Sequence, residues 1–487
     1  MSKISRRGML GGLLGGAVVL GFNPLARSWV TEASAAAPFV GLPPLDGTLA
    51  TDPASLAEMA NDFGHIVHRT PIAVLRAASV NDVVKMVNYA RVHGIKIVGR
   101  GNGHTTFGQS QTDVGVVIDV RGLNQIYSIS KKGADVGAGV VWRDLLAATT
   151  QQGLTPPVLT DYLKLTVGGT LSMGGIGGMS WRHGVQLDNV EELTVVTGTG
   201  QIVVCSPKKR RDLFDAALGG MGLVGIIVRA TISLIEAEEQ ARTYNFAYAD
   251  IPTMLKDMRT LIDQKRFDYV RGQAVPDGNG WLFAIEATTY FTPHCGGHDG
   301  SSQQKLLKNL RYIPGTVTVT DRTYYDYCDS VTQLFEYYET LGLNALPHAW
   351  LDLFVPDSAI DDFASQSLAE ADMSMFMPGS LVLFFGFEAK RINQPMFRVP
   401  DEDRFFLFDI IRSVPPDPGS VAWALQNNRA MYDENRCYGG TAYAISTVAL
   451  TRADWQAHFG DYWPELCAAK AKYDPAGILG AGVNVFN

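Results

Sequence analysis

The tightest constraint on this chain is a short segment in which an apolar stretch, Ile95-Lys96-Ile97-Val98, runs into Gly99-Arg100-Gly101-Asn102-Gly103-His104-Thr105. Glycine at every second position removes the Cβ atoms that would otherwise keep backbone N–H groups from closing on a diphosphate. The spacing is not that of the G-x-G-x-x-G dinucleotide fingerprint, whose third glycine would fall at 104, where histidine stands. Asp119 sits where the ribose-binding acid of that fingerprint would be sought, but it ends an apolar strand with no helix in between. A histidine directly after a phosphate-type loop puts a nucleophilic imidazole where a cofactor would lie. Taken alone, a histidine such as His104 is more often an ordinary polar loop residue.

A second segment narrows the choice. From Asp161 to Gly178 the chain reads DYLKLTVGGTLSMGGIGG, with glycine at 168, 169, 174, 175, 177 and 178 and hydroxyls at Thr166, Thr170 and Ser172. Leu171, Met173 and Ile176 want burial, which argues against a surface loop and for an extended backbone tracking a ligand. The surrounding pattern is β–α. Ala73–Arg76 reads as a strand, Ser79 caps a helix with an apolar face through Val83, Val87 and Ala90, and Gly94 ends it. Further strands follow at 116–120, 134–138, 192–197 and within 223–234. Beyond about residue 238 aromatic residues and alternating strands appear (281–286, 350–355), mixed with helical stretches such as 330–341. An α+β fold with two domains follows, divided as 65–237 and 238–435, with 38–64 as a linker and first helix and 436–487 returning to the first domain.

Composition removes several functional classes. A net charge of −8 with no basic stripe speaks against a nucleic-acid partner, and Lys208-Lys209-Arg210-Arg211 reads as a solvated turn before a helix. The five cysteines show no zinc-like spacing, no metal site is expected, and the odd count speaks against a disulfide framework. Ser5-Arg6-Arg7-Gly8 precedes a short, glycine-softened apolar stretch from Leu10 to Phe22, and Ala33-Ser34-Ala35 offers a cleavage site. Residues 1–37 therefore read as a twin-arginine signal that exports the chain to the periplasm or beyond, with no stable membrane anchor.

Both glycine segments, in this order, resemble the PCMH-type FAD-binding domain of the vanillyl-alcohol-oxidase superfamily, and within it the cytokinin dehydrogenases. The resemblance is carried by Gly-Arg-Gly through His104-Thr105, by Gly108-Gln109, and by the run from Thr160 to Ser172. It continues in Arg182-His183-Gly184-Val185-Gln186, Gly219–Ile227, Pro347-His348-Ala349-Trp350-Leu351 and the C-terminal Trp455, His458-Phe459-Gly460 and Tyr473-Asp474-Pro475. It implies a PCMH-type domain plus an α+β substrate (cap) domain, and FAD bonded covalently through His104. The implied cofactor contacts are Gly99, Arg100, Gly101, Asn102, Gly103, His104, Thr105, Gln109, Asp161, Thr166, Gly168, Gly169, Ser172, Ile176 and Ile227. Arg271 and Trp350 are the implied substrate residues. Asp161 is the implied catalytic residue, accepting a hydrogen bond from a substrate amine while hydride leaves for flavin N5. Oxygen or another acceptor then takes the electrons.

Departures fall mainly on the substrate side. The resembling Asp-Tyr-Val-Glu-Gly reads Asp268-Tyr269-Val270-Arg271-Gly272 here, a charge reversal that favours a smaller or anionic substrate over isopentenyl-type cytokinins. The resembling closing Ser-Pro-Gly-Gln reads Gly480-Ala481-Gly482-Val483, and Ile445-Ser446-Thr447 stands where Tyr-Leu-Pro does. Three readings follow: an oxidase or dehydrogenase acting on C–H next to N or O of a small amine or alcohol, a true cytokinin dehydrogenase, and a flavin-binding protein with degraded catalysis.

Overall fold

The computed structural model describes residues 39–278, 280–293 and 300–486, together with an antiparallel pair of short strands, Val19–Asn23 and Ser28–Thr31. Arg6, Arg7, Ala33-Ser34-Ala35 and Cys295 lie outside the described residues. Cys205, Cys328, Cys437 and Cys467 are unpaired. No helix among the described residues is long and apolar enough to cross a membrane.

The first domain is built on two sheets. In the smaller one, Ala73–Arg76 and Ile97–Arg100 flank Val116–Asp119 in parallel, with Thr48–Ala50 added antiparallel at the edge. Val80–His93 packs against it. Ser79 and Asp82 form a reciprocal capping box at its start, and Gly94 closes it at φ +66°, a conformation that costs any other residue a Cβ clash. The parallel register pairs Gly99 with Ile118 and Arg100 with Asp119, so these two residues belong to the strand and the free loop begins at Gly101. The second sheet is antiparallel, in the order Ile202–Cys205, Val190–Thr197, Gly225–Ile232, Gly133–Gly137, Ile126–Ser130.

The second domain centres on an antiparallel eight-stranded sheet. Its middle strands are Trp281–Phe291, Tyr269–Pro276, Leu381–Glu388 and Arg404–Ile411, and Leu351–Pro356 follows beside the last of these. Ile251–Asp263 covers it, capped by Asp250 with proline in its first turn, and buries Met254, Leu255, Met258 and Leu261. A single apolar core joins the two domains. Leu163, Val167 and Leu171 of the first pack with Phe354, Phe385, Phe397 and Tyr443 of the second.

The chain end returns to the first domain. Trp463–Tyr473 packs on Arg211–Ala217, and Ile97 N–H donates to Ile478 O. Asp474, 1% exposed, holds this return: it accepts from Lys470 Nζ at 2.6 Å and from the N–H groups of Ile478 and Leu479 at 3.1 and 2.9 Å. Removing one member of a buried pair strands the other charge, a cost of about 3–5 kcal/mol. Asp474→Ala is therefore expected to lower unfolding stability by about that amount, read in a denaturant titration followed by tryptophan fluorescence.

Candidate active site

Every residue proposed from sequence for cofactor or substrate lines one cavity of about 800 Å³ between the two domains. Its floor is the Gly101–Thr105 loop. Gly101 is required there, since a Cβ would lie 2.0 Å from Thr166 Oγ1, and Gly103 is at φ +68° against the Arg100 guanidinium. Among the described residues the N–H groups of Asn102, Gly103 and His104 have no protein acceptor. Asn102 Nδ2 donates to Lys164 O at 2.6 Å and ties this loop to the second glycine segment.

The second segment differs from the extended run read from sequence. Val167–Leu171 is a short helix, because Thr166 Oγ1 accepts from Gly169 N–H while the N–H groups of Val167 and Gly168 reach Val140 O and Ala138 O. Local capping outweighs the low helical preference of paired glycines. The later glycines serve packing: a Cβ on Gly174 would strike the Phe397 and Tyr443 rings, and one on Gly178 would lie 2.3 Å from the Tyr269 ring. Tyr443 Oη also accepts from Gly175 N–H at 2.9 Å.

His104 is held by its ring faces. Tyr162 stacks on it at 4.4 Å and 18°, Phe63 lies at 4.2 Å, and Trp350 meets it edge-on at 5.6 Å. Its ring nitrogens have no hydrogen-bond partner among the described residues, whereas the neighbouring His65 and His348 are engaged. Burial, with His348 nearby, pushes its pKa down to about 3, so the imidazole is neutral with a free lone pair. Sequence reasoning missed the device that sets this loop. Asp62, 3% exposed, accepts from Thr105 Oγ1 at 2.8 Å, Gly108 N–H at 2.7 Å and Gly64 N–H at 3.2 Å. An isolated aspartate in the linker carries no sequence signal of that role. From the far side, Ile445 O accepts from Thr106 Oγ1 and Gln109 Nε2 at 3.0 and 3.1 Å.

Asp161 lines the same cavity and directly precedes the Tyr162 that stacks on His104. Tyr269 Oη donates to its two oxygens at 2.9 and 3.0 Å, and Arg271 Nη1 donates to Oδ2 at 2.6 Å. Arg271 also donates to Glu286 Oε2 at 2.8 Å. The guanidinium is thus paired with two carboxylates through Nη1 and Nη2, while its Nε has no partner among the described residues. Burial raises the Asp161 pKa, and this outweighs the lowering by Arg271 and Tyr269.

Comparison with known proteins agrees with this layout. The family model for an FAD binding domain matches residues 71–206. That for "Cytokinin dehydrogenase 1, FAD and cytokinin binding" matches 274–486. An uncharacterized oxidoreductase of the fasciation locus of Rhodococcoides fascians is 35% identical, covering 90% of this chain and 99% of its own length. Cytokinin dehydrogenase 7 of Oryza sativa subsp. japonica is 34% identical, with 90% and 91% covered. The chain belongs to the cytokinin dehydrogenase family. It is therefore an FAD-dependent oxidoreductase. The fold is shared with 6-hydroxy-D-nicotine oxidase of Arthrobacter nicotinovorans, at TM-score 0.69 and 22% identity over 91% of this chain and 98% of that one.

The cavity fits FAD on the structure's own terms: a loop stripped of Cβ atoms, donors without acceptors, and a neutral imidazole at its end. Asp62→Ala leaves the Gly108 and Gly64 N–H groups without their acceptor, at about 1–3 kcal/mol. Lowered thermal stability with a reduced flavin-to-protein absorbance ratio is the expected outcome.

Proposed function

We propose that this member of the family oxidises C–H next to N or O in a small amine or alcohol, with FAD bonded to His104. The observation that supports the reading is the shared cavity, which is lined both by an aromatic-clamped His104 with no hydrogen-bond partner among the described residues and by a half-buried Asp161. FAD, when bound, supplies a hydride acceptor. The residues of this chain do the rest. The sandwich of Tyr162 and Phe63 presents the His104 imidazole in its nucleophilic, neutral form. The N–H groups of Asn102, Gly103 and His104, which have no protein acceptor among the described residues, would hold the diphosphate of FAD.

Asp161 handles the proton. Its Oδ1, which among the described residues accepts only from Tyr269, keeps a lone pair for the N–H or O–H of the substrate, and desolvation gives the carboxylate the basicity to take that proton as the hydride departs. Arg271 steadies the charged form, and Tyr269 fixes the orientation of the carboxylate. Cytokinin itself is the second reading, favoured by the family match over residues 274–486. Anaerobic flavin reduction by an N6-isopentenyl adenine, set against simple amines and alcohols, ranks the two.

Three outcomes test the proposal. His104→Ala is expected to release its flavin on acid precipitation, while the wild type keeps it in the pellet; pelleted flavin in the variant would move the linkage elsewhere. Asp161→Asn is expected to hold covalent flavin yet slow anaerobic reduction by about 10²–10⁴-fold, and a wild-type rate would assign the base to another group. Export by the twin-arginine route rests on Arg6-Arg7. Changing both to lysine is expected to strand precursor in the cytoplasm, visible by fractionation.

A further inference from the structure

A carboxylate set back from the cavity lining competes with Asp161 for the same arginine. Tyr269 and Arg271, two residues apart on Tyr269–Pro276, share one face of the strand, and both reach the Asp161 carboxylate. The neighbouring strand, Trp281–Phe291, runs antiparallel and sets Glu286 directly opposite Arg271. Arg271 Nη1 donates to Asp161 Oδ2 at 2.6 Å, and its Nη2 donates to Glu286 Oε2 at 2.8 Å. Tyr327, on the short helix Tyr324–Cys328, donates to Glu286 Oε1 at 3.1 Å. Asp161 and Arg271 line the cavity; Glu286 lies behind them, with the uncharged Asn245 as its cross-strand neighbour on the other side. The side chains of Asp161, Arg271 and Glu286 are 18%, 12% and 18% exposed, so little water screens one from another.

The second carboxylate changes the charge balance around Asp161. Among the described residues no other lysine or arginine pairs with Asp161 or Glu286. The titratable groups facing Asp161 are Tyr269 and Arg271 on one strand, Glu286 on the next, Cys328 on the short helix and Asp409 on Arg404–Ile411. Burial pushes the Cys328 thiol up to about 12 and raises Tyr269 well above its ordinary range. Burial also raises the Asp409 carboxyl well above the carboxylate range. Arg271 and Glu286 are therefore the charges that act on Asp161 near neutral pH, and the trio carries one net negative charge. A proton taken up by Asp161 leaves Arg271 matched by Glu286. With Glu286 uncharged, the same proton would leave a lone guanidinium in a poorly solvated place, which is costly. The direction of each influence agrees: burial raises the Asp161 pKa, the Arg271 charge opposes that rise, and the Glu286 charge adds to it.

We propose that Glu286 is a positioning residue for the proton transfer: by sharing Arg271 with Asp161, it leaves the Asp161 carboxylate basic enough to take the substrate proton. The inference rests on the reading of Asp161 as the base. The strand register and the Tyr327 hydroxyl hold Glu286 in place for this task.

Asp161 itself reports the effect. In the resting, flavin-loaded enzyme the C=O stretch of its protonated carboxyl, assigned by its loss in Asp161→Asn, is titrated against pH by difference infrared spectroscopy. Glu286→Gln keeps the shape and removes the charge, so the full pull of Arg271 falls on Asp161, and the titration is expected to move down by about 1 unit. Arg271→Gln is expected to move it up. Opposite directions from two partners of one ion pair separate tuning from damage to the site, which would not give the two variants opposite signs. Anaerobic flavin reduction should follow. In Glu286→Gln its acid limb moves to lower pH, and its plateau falls by up to about 10-fold, the equivalent of one unit of base strength. Glu286→Asp keeps the charge but draws it back by one methylene, and its titration should fall between those of the wild type and Glu286→Gln.

An Asp161 titration unmoved by Glu286→Gln, or moved the same way by Glu286→Gln and Arg271→Gln, overturns the proposal. If Glu286→Gln does not load flavin, Glu286→Asp decides: a smaller downward shift supports the shared arginine, and an unmoved or raised titration overturns it. The role of Glu286 and the assignment of the base fail separately. A titration that moves as stated, with wild-type flavin reduction in Asp161→Asn, removes the base. Slowed reduction in Asp161→Asn, with an Asp161 titration indifferent to Glu286, removes only the role of Glu286.

Discussion

Two tyrosines of the second domain, Tyr443 and Tyr269, lie directly on backbone that has no Cβ, at Gly174 and Gly178. This close approach is what lets the domains share one core. Leu171 on one side and Phe354 and Phe397 on the other bury into the same cluster, and the space left between the layers becomes the cavity. A side chain at either glycine would hold the layers apart and open the site to water. The contact is polar as well as steric, since Tyr443 accepts from the Gly175 N–H that the turn would otherwise leave unpaired.

Charge is then distributed across that seam. Arg271 enters from the second domain, bridges Asp161 and Glu286, and so fixes the loop that precedes the glycine run to the sheet that faces it. Buried ion pairs contribute little net stability but cost much to break, which makes them better at fixing geometry than at holding a fold together. At His104 no charge is used: the ring is oriented by stacking alone, and desolvation by its surroundings keeps it neutral. The carboxylate is held by charge and the imidazole by ring faces.

Much of this was legible from residue order. The loop ending at His104, the helix between Ser79 and Gly94, and the strands at Ala73–Arg76 and Val190–Thr197 follow from glycine spacing, capping chemistry and apolar periodicity, which are local properties. The run after Thr166 was harder to read. Its glycines suggested an extended backbone, yet a single threonine cap turns it into a helix, and the glycines further on answer to aromatic rings from 91 to 269 residues away in sequence.

The sequence by itself determined the family, the cofactor class and the residues gathered at the cavity, because short-range glycine and hydroxyl patterns carry them. Tertiary structure decided how those residues are charged and paired. Asp62 organises the His104 loop from the linker, Arg271 bridges Asp161 and Glu286, and Asp352 meets Asp409 across a sheet. These pairings join residues from 15 to 110 positions apart. Protonation, burial and partner choice depend on which side chains the fold brings within a few ångströms, and no local pattern encodes that.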